Sequence, residues 1–519
     1  MNNSSKKVIS ILLLLGVVFI GLNFWVNHYL KNKVETFIHT ELPKNMIRSY
    51  DGLELHTFSG SLTIKTPSLI IKNTADSLQH TFIEVEKLEI SGVSYWDFLM
   101  KDEINIRSVV LVNPKIMYFK NRVNPQKDTA QKSPPKSQIP IHVDKIQFQN
   151  ASLHLYENGK DSTKLAVKDV WVDIESVAIN NQTKENKIPF DYKDYSIKGD
   201  SLFLKVNAYD NLTVGDFNVK NSNVAFNNLA LKTKYSKREL SRIISKERDH
   251  YNLTLTSFLI DEVDFGFDND TLSVKSKKVS LNSPSLEIYR DKLVTDDMNV
   301  KPLYSKMLRD LPFHLTVDSL AIVNGNILYQ ERVKEDNMGG TISFKDLNAG
   351  IANVGNTYQA PIKTELNIKA RFMENTSFSA YWAFDVNNRN DHFLFTAEVG
   401  KMNANKMNSF TEPNMNVQLE GQVARTYFTI DANNESSSTD IKINYSNFKV
   451  NVLRKDSERK NKLVSAIANI FIPKNSTNKE ENYREGRGVA SRNKTQSVFN
   501  FLWISIESAL RNAMSDSKT

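Results

Sequence analysis

Apolar and polar residues alternate along most of this chain. Leu62 and Ile64 fall on one side of "SLTIK". Ile83 and Val85 alternate with Glu84 and Glu86, and the phase shifts at Lys87 before Leu88 and Ile90. The same period returns at Ile104 and Ile106, at Leu253 and Leu255, and at Leu366 and Ile368. Between Ile441 and Val452, Ile441, Ile443 and Tyr445 share one face, and Phe448, Val450 and Val452 continue it after a one-residue bulge. A period of two puts successive side chains on opposite faces of a strand. The pattern predicts antiparallel strands with one dry and one wet face.

One unit of this pattern is repeated. "VDKIQFQNASLHLYE" (Val143–Glu157) and "VDSLAIVNGNILYQE" (Val317–Glu331) share the Val-Asp opening, an Asn at 150 and 324, and an aromatic residue near the end. Two weaker copies are "SVVLVNPKIMYF" (Ser108–Phe119) and "VSLNSPSLEIY" (Val279–Tyr289). In these Asn113 matches Asn150 and Asn324, and Pro284 matches Pro114. Asn, Pro or Gly between two alternating runs supplies a kink or bulge. The repeat therefore predicts bent strands within a larger sheet. Leu111, Phe148, Leu281 and Ile322 occupy comparable places in the four copies and are expected along one side.

Helical patterns are few. "VISILLLLGVVFIGLNFWV" (Val8–Val26) carries no formal charge, and about 19 residues at helical rise span roughly 28 Å, one bilayer core. Leu12, Leu13, Leu14, Leu15, Val17, Val18, Phe19 and Ile20 form its apolar body, and Trp25 stands at an interface position. A cleaved signal peptide would need small residues after the apolar core, where Asn23, Phe24, Trp25 and Val26 stand instead. That favours a retained anchor over residues 1–30, with Lys6 and Lys7 on the cytoplasmic side, although Lys31 and Lys33 weaken the asymmetry. Residues 31–472 are expected to form the β-domain, interrupted by a Pro- and Lys-rich loop at about 124–140. Short helical patterns occur at 31–48, Tyr95–Met100, Lys237–Tyr251 and Leu463–Phe471. Residues 473–496 read as a polar, disordered linker. Residues 497–519 hold an amphipathic helix in which Val498, Phe501 and Leu502 share a stripe that Trp503 broadens. It is expected to dock on a membrane, to close the sheet, or to pack on the sheet's end.

Composition narrows the chemistry. Hydrophobic residues make up 40% of the 519, and 67 basic residues against 59 acidic ones give a net charge of +8. That mild excess is spread rather than patched, so nucleic-acid binding has no support. There is no cysteine, which removes disulfides, thiol catalysis and thiolate–zinc sites. No two of the nine histidines lie three or four apart. Neither a phosphate-binding glycine loop nor a Gly-x-Ser-x-Gly elbow occurs. The expectation is a non-enzyme with no catalytic residues, metal or cofactor.

Three stretches resemble the AsmA-like superfamily, relatives of TamB. One is "SGSLTIKTPSLII" (Ser59–Ile71) followed by Val85–Ile116, which runs strand, strand, short helix, then a strand ending in Asn-Pro. The second is Val317–Glu331 with Gly339–Asn356, and the third is Val417–Asp456. The resemblance implies an elongated, curled antiparallel β-groove of kinked repeats behind an N-terminal transmembrane helix. It implies a single-pass protein of the bacterial inner membrane with its bulk in the periplasm. The groove would bind or transfer phospholipid or other acyl chains in outer-membrane biogenesis, with other envelope proteins as further partners. A physical argument runs alongside: a long apolar sheet face must be covered. Either the sheet fills its own interior, as an assembly scaffold would, or it holds acyl chains.

Overall fold

The computed structural model describes residues 45–515 except 57–58, 95–96, 98–99, 124–139, 184–187, 455–456, 461–472 and 477–481, with a few positions between 27 and 36. The expected anchor at Val8–Val26, the helical pattern at Leu463–Phe471 and most of the Pro- and Lys-rich loop lie outside the described residues. Among the described residues no helix is long and apolar enough to cross a membrane. The chain is mainly β and divides into two units: residues 1–206 with 213–221, and 207–212 with 222–519.

The N-terminal unit contains β1 (Met46–Ser49), β2 (Gly52–His56), β3 (Ser61–Lys65), β4 (Ser68–Lys72), β5 (Gln79–Glu84), β6 (Lys87–Ser91), β7 (Ile104–Val112) and β8 (Lys115–Phe119). It continues with β9 (Ile141–Tyr156), β10 (Thr163–Ile179), β11 (Asp194–Gly199) and β12 (Ser201–Lys205); β13 (Asp210–Val214) straddles the boundary and β14 (Asp216–Lys220) follows. Several of these are halves of one bent strand. β3 and β4 break at Thr66-Pro67, and β7 and β8 at Asn113-Pro114, with φ +46° at Thr66 and +49° at Asn113. Proline has no N–H to give the ladder, so the break falls where pairing is lost anyway. The half-strands pair side by side: β2–β3–β6–β7 on one side of the break, β1–β4–β5–β8 on the other. β9 spans both lines, pairing with β7 and with β8.

The C-terminal unit contains β15 (Asn223–Thr233), α1 (Lys237–Ile243), β16 (His250–Asp261), β17 (Asp264–Asp268), β18 (Thr271–Asn282), β19 (Ser285–Asp291), α2 (Tyr304–Arg309), β20 (His314–Arg332) and β21 (Gly340–Gly355). After these come β22 (Thr364–Phe372), β23 (Thr376–Phe384), β24 (Phe393–Val399), β25 (Met402–Asn403), α3 (Asn408–Met415), β26 (Val417–Ala432), β27 (Ser436–Arg454), β28 (Ser457–Lys460), β29 (Arg484–Ser491) and α4 (Val498–Met514). α1 starts with a capping box between Ser236 and Glu239 and stops at Ile243, well short of the helical pattern's end at Tyr251. Residues from His250 onward are drawn into β16 instead.

Two expectations are corrected. The sheets are mixed, not antiparallel: β7 and β8 run parallel to β9, and β18 and β19 run parallel to β20. A parallel neighbour needs a long crossover. The stretch containing the Pro- and Lys-rich loop supplies one, and Lys292–Phe313 with α2 supplies the other. Second, residues 473–496 are not a linker throughout, because Arg484–Ser491 forms β29, antiparallel to β27. Its polarity and its two glycines made it read as a loop. Gly486 and Gly488 face α4, and a Cβ there would lie 2.4 Å from the Ala509 oxygen and 2.3 Å from its nitrogen. Glycine is the residue that permits this approach.

The four sequence copies are two pairs of parallel neighbours. Leu111 pairs with Phe148, and Leu281 with Ile322, the register that the aligned Asn and Pro positions imply. The junctions are built alike. Asn113 N–H donates to Gln149 O (2.8 Å) and Ser152 N–H to Pro114 O (2.8 Å); Ser283 N–H donates to Val323 O (2.8 Å) and Asn326 N–H to Pro284 O (2.7 Å). Asn113, Asn150, Ser283 and Asn324 all take left-handed φ between +48° and +55°. Asn adopts this conformation more readily than most residues.

Candidate functional site

Strand register turns the alternation into continuous apolar ribs. In the N-terminal unit, Leu53, Ile64, Leu88 and Leu111 are directly paired across β2, β3, β6 and β7. The row continues through Phe148, Val172, Ile197 and Val219 on β9, β10, β11 and β14. Paired residues share a face, so eight strands contribute eight apolar side chains to one line. Two residues along, Leu55, Leu62, Ile90 and Val109 continue into Ile146, Ile174 and Tyr195 as a second rib. The row between them emerges on the opposite face and is largely polar, with Glu54, Thr63, Glu89, Gln147, Asp173 and Lys220 among its members. Leu53 and Ile64 are buried, but every other member of the two ribs is only half-buried. No helix with a full α turn packs on this face among the described residues.

In the C-terminal unit a rib runs through Phe226, Phe258, Leu281, Ile322, Ala349 and Ile368, then through Ala380, Ala397, Phe428 and Ile441. A parallel one begins Val224, Ile260, Val279, Leu320, Ile351 and Leu366 and continues with Trp382, Phe395 and Ile430. Exposure changes along these ribs. From β15 to β22 their members are half-buried, with Val279 the exception; from β23 onward they are buried.

The change coincides with α4. Val498, Phe501, Leu502, Ala509, Ala513 and Met514 join one core with Trp382, Phe395, Ile430 and Ile441. Phe501 meets Phe393 edge-on at 6.2 Å, and Tyr304 of α2 lies 5.3 Å from Trp382. Polar contacts fix the helix: the Ser505 and Ser437 hydroxyls are 2.7 Å apart, and Arg484 Nε donates to the Ala513 carbonyl at 2.7 Å. Of the stripe expected from the sequence, Val498, Phe501 and Leu502 thus face the sheet, whereas Trp503 is 38% exposed.

Ionisable groups gather elsewhere in this unit. Arg290 donates to both oxygens of Asp249 (2.7 and 2.8 Å), Lys292 lies 2.8 Å from the fully buried Glu247, and Arg332 lies 3.2 Å from Asp291. Burial, then the Asp249 carboxylate, pushes the Tyr251 phenol up to about 12, so it remains a donor. Each of these carboxylates faces a cation, which makes the group a neutral clamp tying the start of β16 to β19 and β20. Among the described residues no His, Asp and Glu cluster has metal-holding geometry.

Leu111 and Phe148 therefore sit together on an N-terminal rib, and Leu281 and Ile322 together on a C-terminal one. The anchor residues from Leu12 to Trp25 lie outside the described residues. The rib partners Leu88, Val172, Phe258 and Ala349 were missed by sequence reasoning. Each lies within a visible alternating run, but register across strands is needed to put them in line. No family model matches this chain, and no curated protein matches it.

Proposed function

We propose that the half-buried apolar ribs bind the acyl chains of phospholipid or a similar lipid, in a membrane-anchored, AsmA-like protein of the bacterial envelope. The observation that carries this reading is the N-terminal pair of ribs, apolar at every strand they cross, backed by a largely polar face and lacking a protein cover among the described residues. Each methylene laid on such a face gains about 0.8 kcal/mol, so a few per rib retain a chain. The kinks at Thr66 and Asn113 would curl the N-terminal sheet and make its apolar face a groove. The resemblance of Ser59–Ile71 and Val85–Ile116 to the AsmA-like opening agrees with this role and with a periplasmic site behind an inner-membrane anchor.

A scaffold with a self-filled β core is the second reading, favoured by the way α4 fills the end of the C-terminal sheet. A mass-spectrometric lipid inventory of the full-length protein, purified in a detergent that exchanges slowly with bound lipid, separates the two. Phospholipid retained in stoichiometric amount is expected. Lipid-free protein of unchanged stability would leave the scaffold.

A further inference from the structure

The face of the C-terminal sheet opposite its ribs has a chemistry of its own. Across β21 to β26 it presents Gly350, Asn367, Tyr381, Thr396 and Thr429 in one directly paired row. Beside it runs a second row, Asn348, Lys369, Ser379, Glu398 and Tyr427. Between the rows lies an open concavity of about 670 Å³, within the range of small-ligand sites. Because side chains alternate along each strand, both rows point away from the core that holds Ala380, Ala397 and Phe428. A Cβ on Gly350 would meet nothing within 4 Å, so the space above that strand is open.

We propose that this concavity binds a neutral oligosaccharide. Three alternatives fit the lining less well. A lipid tail needs an unbroken apolar floor, and here Asn348, Asn367, Lys369, Ser379, Thr396 and Glu398 interrupt it. A peptide strand adds to an open sheet edge, whereas these strands are paired on both sides. Nucleic acid needs a surplus of cations, but here Arg425 is paired with Glu398, its Nε 3.3 Å from the carboxylate, which leaves Lys369 as a single cation on the two rows. What remains is a ligand with many hydroxyls and apolar ring faces.

The side chains match that ligand. The side chains of Asn367, Ser379, Thr396 and Thr429 make no hydrogen bond among the described residues, which leaves donors and acceptors for sugar hydroxyls. Two tyrosines supply apolar ring surface with a polar tip, and both are held in place. Tyr381 OH donates to Glu365 Oε1 at 3.0 Å, and Tyr427 OH accepts from Arg425 Nη1 at 3.0 Å. Tyr483 stands 6.2 Å from Tyr427 and buttresses it. Tyr381 and Tyr427 are two strands apart, roughly 10 Å, which suits a short saccharide chain better than one sugar ring.

The test titrates full-length protein, held in a zwitterionic rather than a sugar-based detergent, with chitotetraose, maltotetraose and cellotetraose by calorimetry. Saturable binding of at least one is expected. Tyr427→Ala should weaken it roughly tenfold or more, as loss of an aromatic stacking platform does. Gly350→Trp should weaken it by crowding the β21 end of the concavity while leaving the melting temperature unchanged. Absence of saturable binding to all three, or binding that both variants leave unchanged, overturns the proposal. It stands apart from the lipid reading, since neither variant touches a rib.

Discussion

The N-terminal ribs and the helix-covered end of the C-terminal sheet are written in the same kind of residues, yet they end in different states. Leu88, Leu111, Phe148 and Val172 remain half-buried, while Trp382, Phe395, Phe428 and Ile430 are buried, Ile430 completely. The strand pattern does not produce the difference. α4 does, and it reaches the sheet because Ser508, Ala509 and Ala513 on the helix meet Gly486 and Gly488 on β29. A dry core thus needed a matched stripe of small residues on both sides. No comparable pair stands over the N-terminal ribs among the described residues.

Substitutions at six positions test this contrast, in order of falling effect. Ile430→Asp buries an unpaired carboxylate, which costs several kcal/mol, and should unfold the C-terminal unit in denaturant titration. The matched Leu111→Asp should leave the N-terminal unit folded; equal losses in the two variants would break the contrast. Arg290→Met removes the cation that Asp249 and Glu247 share. Breaking such a buried pair costs about 3–5 kcal/mol. A much smaller loss by urea unfolding would show that charge pairing does not hold the uncovered half of this sheet. Gly488→Val forces α4 away from β29, an overpacking cost of about 1–3 kcal/mol. It should expose residues 498–515 to limited proteolysis and leave the N-terminal unit's digestion pattern unchanged. Asn150→Ala and Asn324→Ala place alanine at φ +55° and +54°, each costing about 1 kcal/mol. Glycine at either site should be nearly neutral. Unequal costs at the two sites would argue that the repeated junctions carry different loads.

Much of this fold was legible in the sequence. The two-residue period marked the strands, and matching Asn and Pro positions aligned Leu111 with Phe148 and Leu281 with Ile322, residues that the structure pairs across β7 and β9 and across β18 and β20. The bulge within Ile441–Val452 falls at Asn447, with φ +52°. What stayed hidden depended on contacts distant in sequence. Parallel pairing was invisible because alternation reads alike in either strand direction. Residues 484–491 read as linker because the glycines that admit α4 are also common loop residues. The stripe of Val498, Phe501 and Leu502 was visible, but a helix's own pattern cannot say whether a sheet or a membrane receives it. The polar concavity was the least legible, because its tyrosines and asparagines look like any solvated strand face until register aligns them.

The central claim is that the half-buried ribs meet lipid and the buried ones do not. A photoreactive residue placed in turn at Leu111, Phe148, Leu281, Ile322 and, as the control, Ile430 tests it most directly in membranes carrying labelled phospholipid. Lipid adducts are expected from the first four positions and none from Ile430. Absence of adducts from all four, in protein that remains folded, would contradict it.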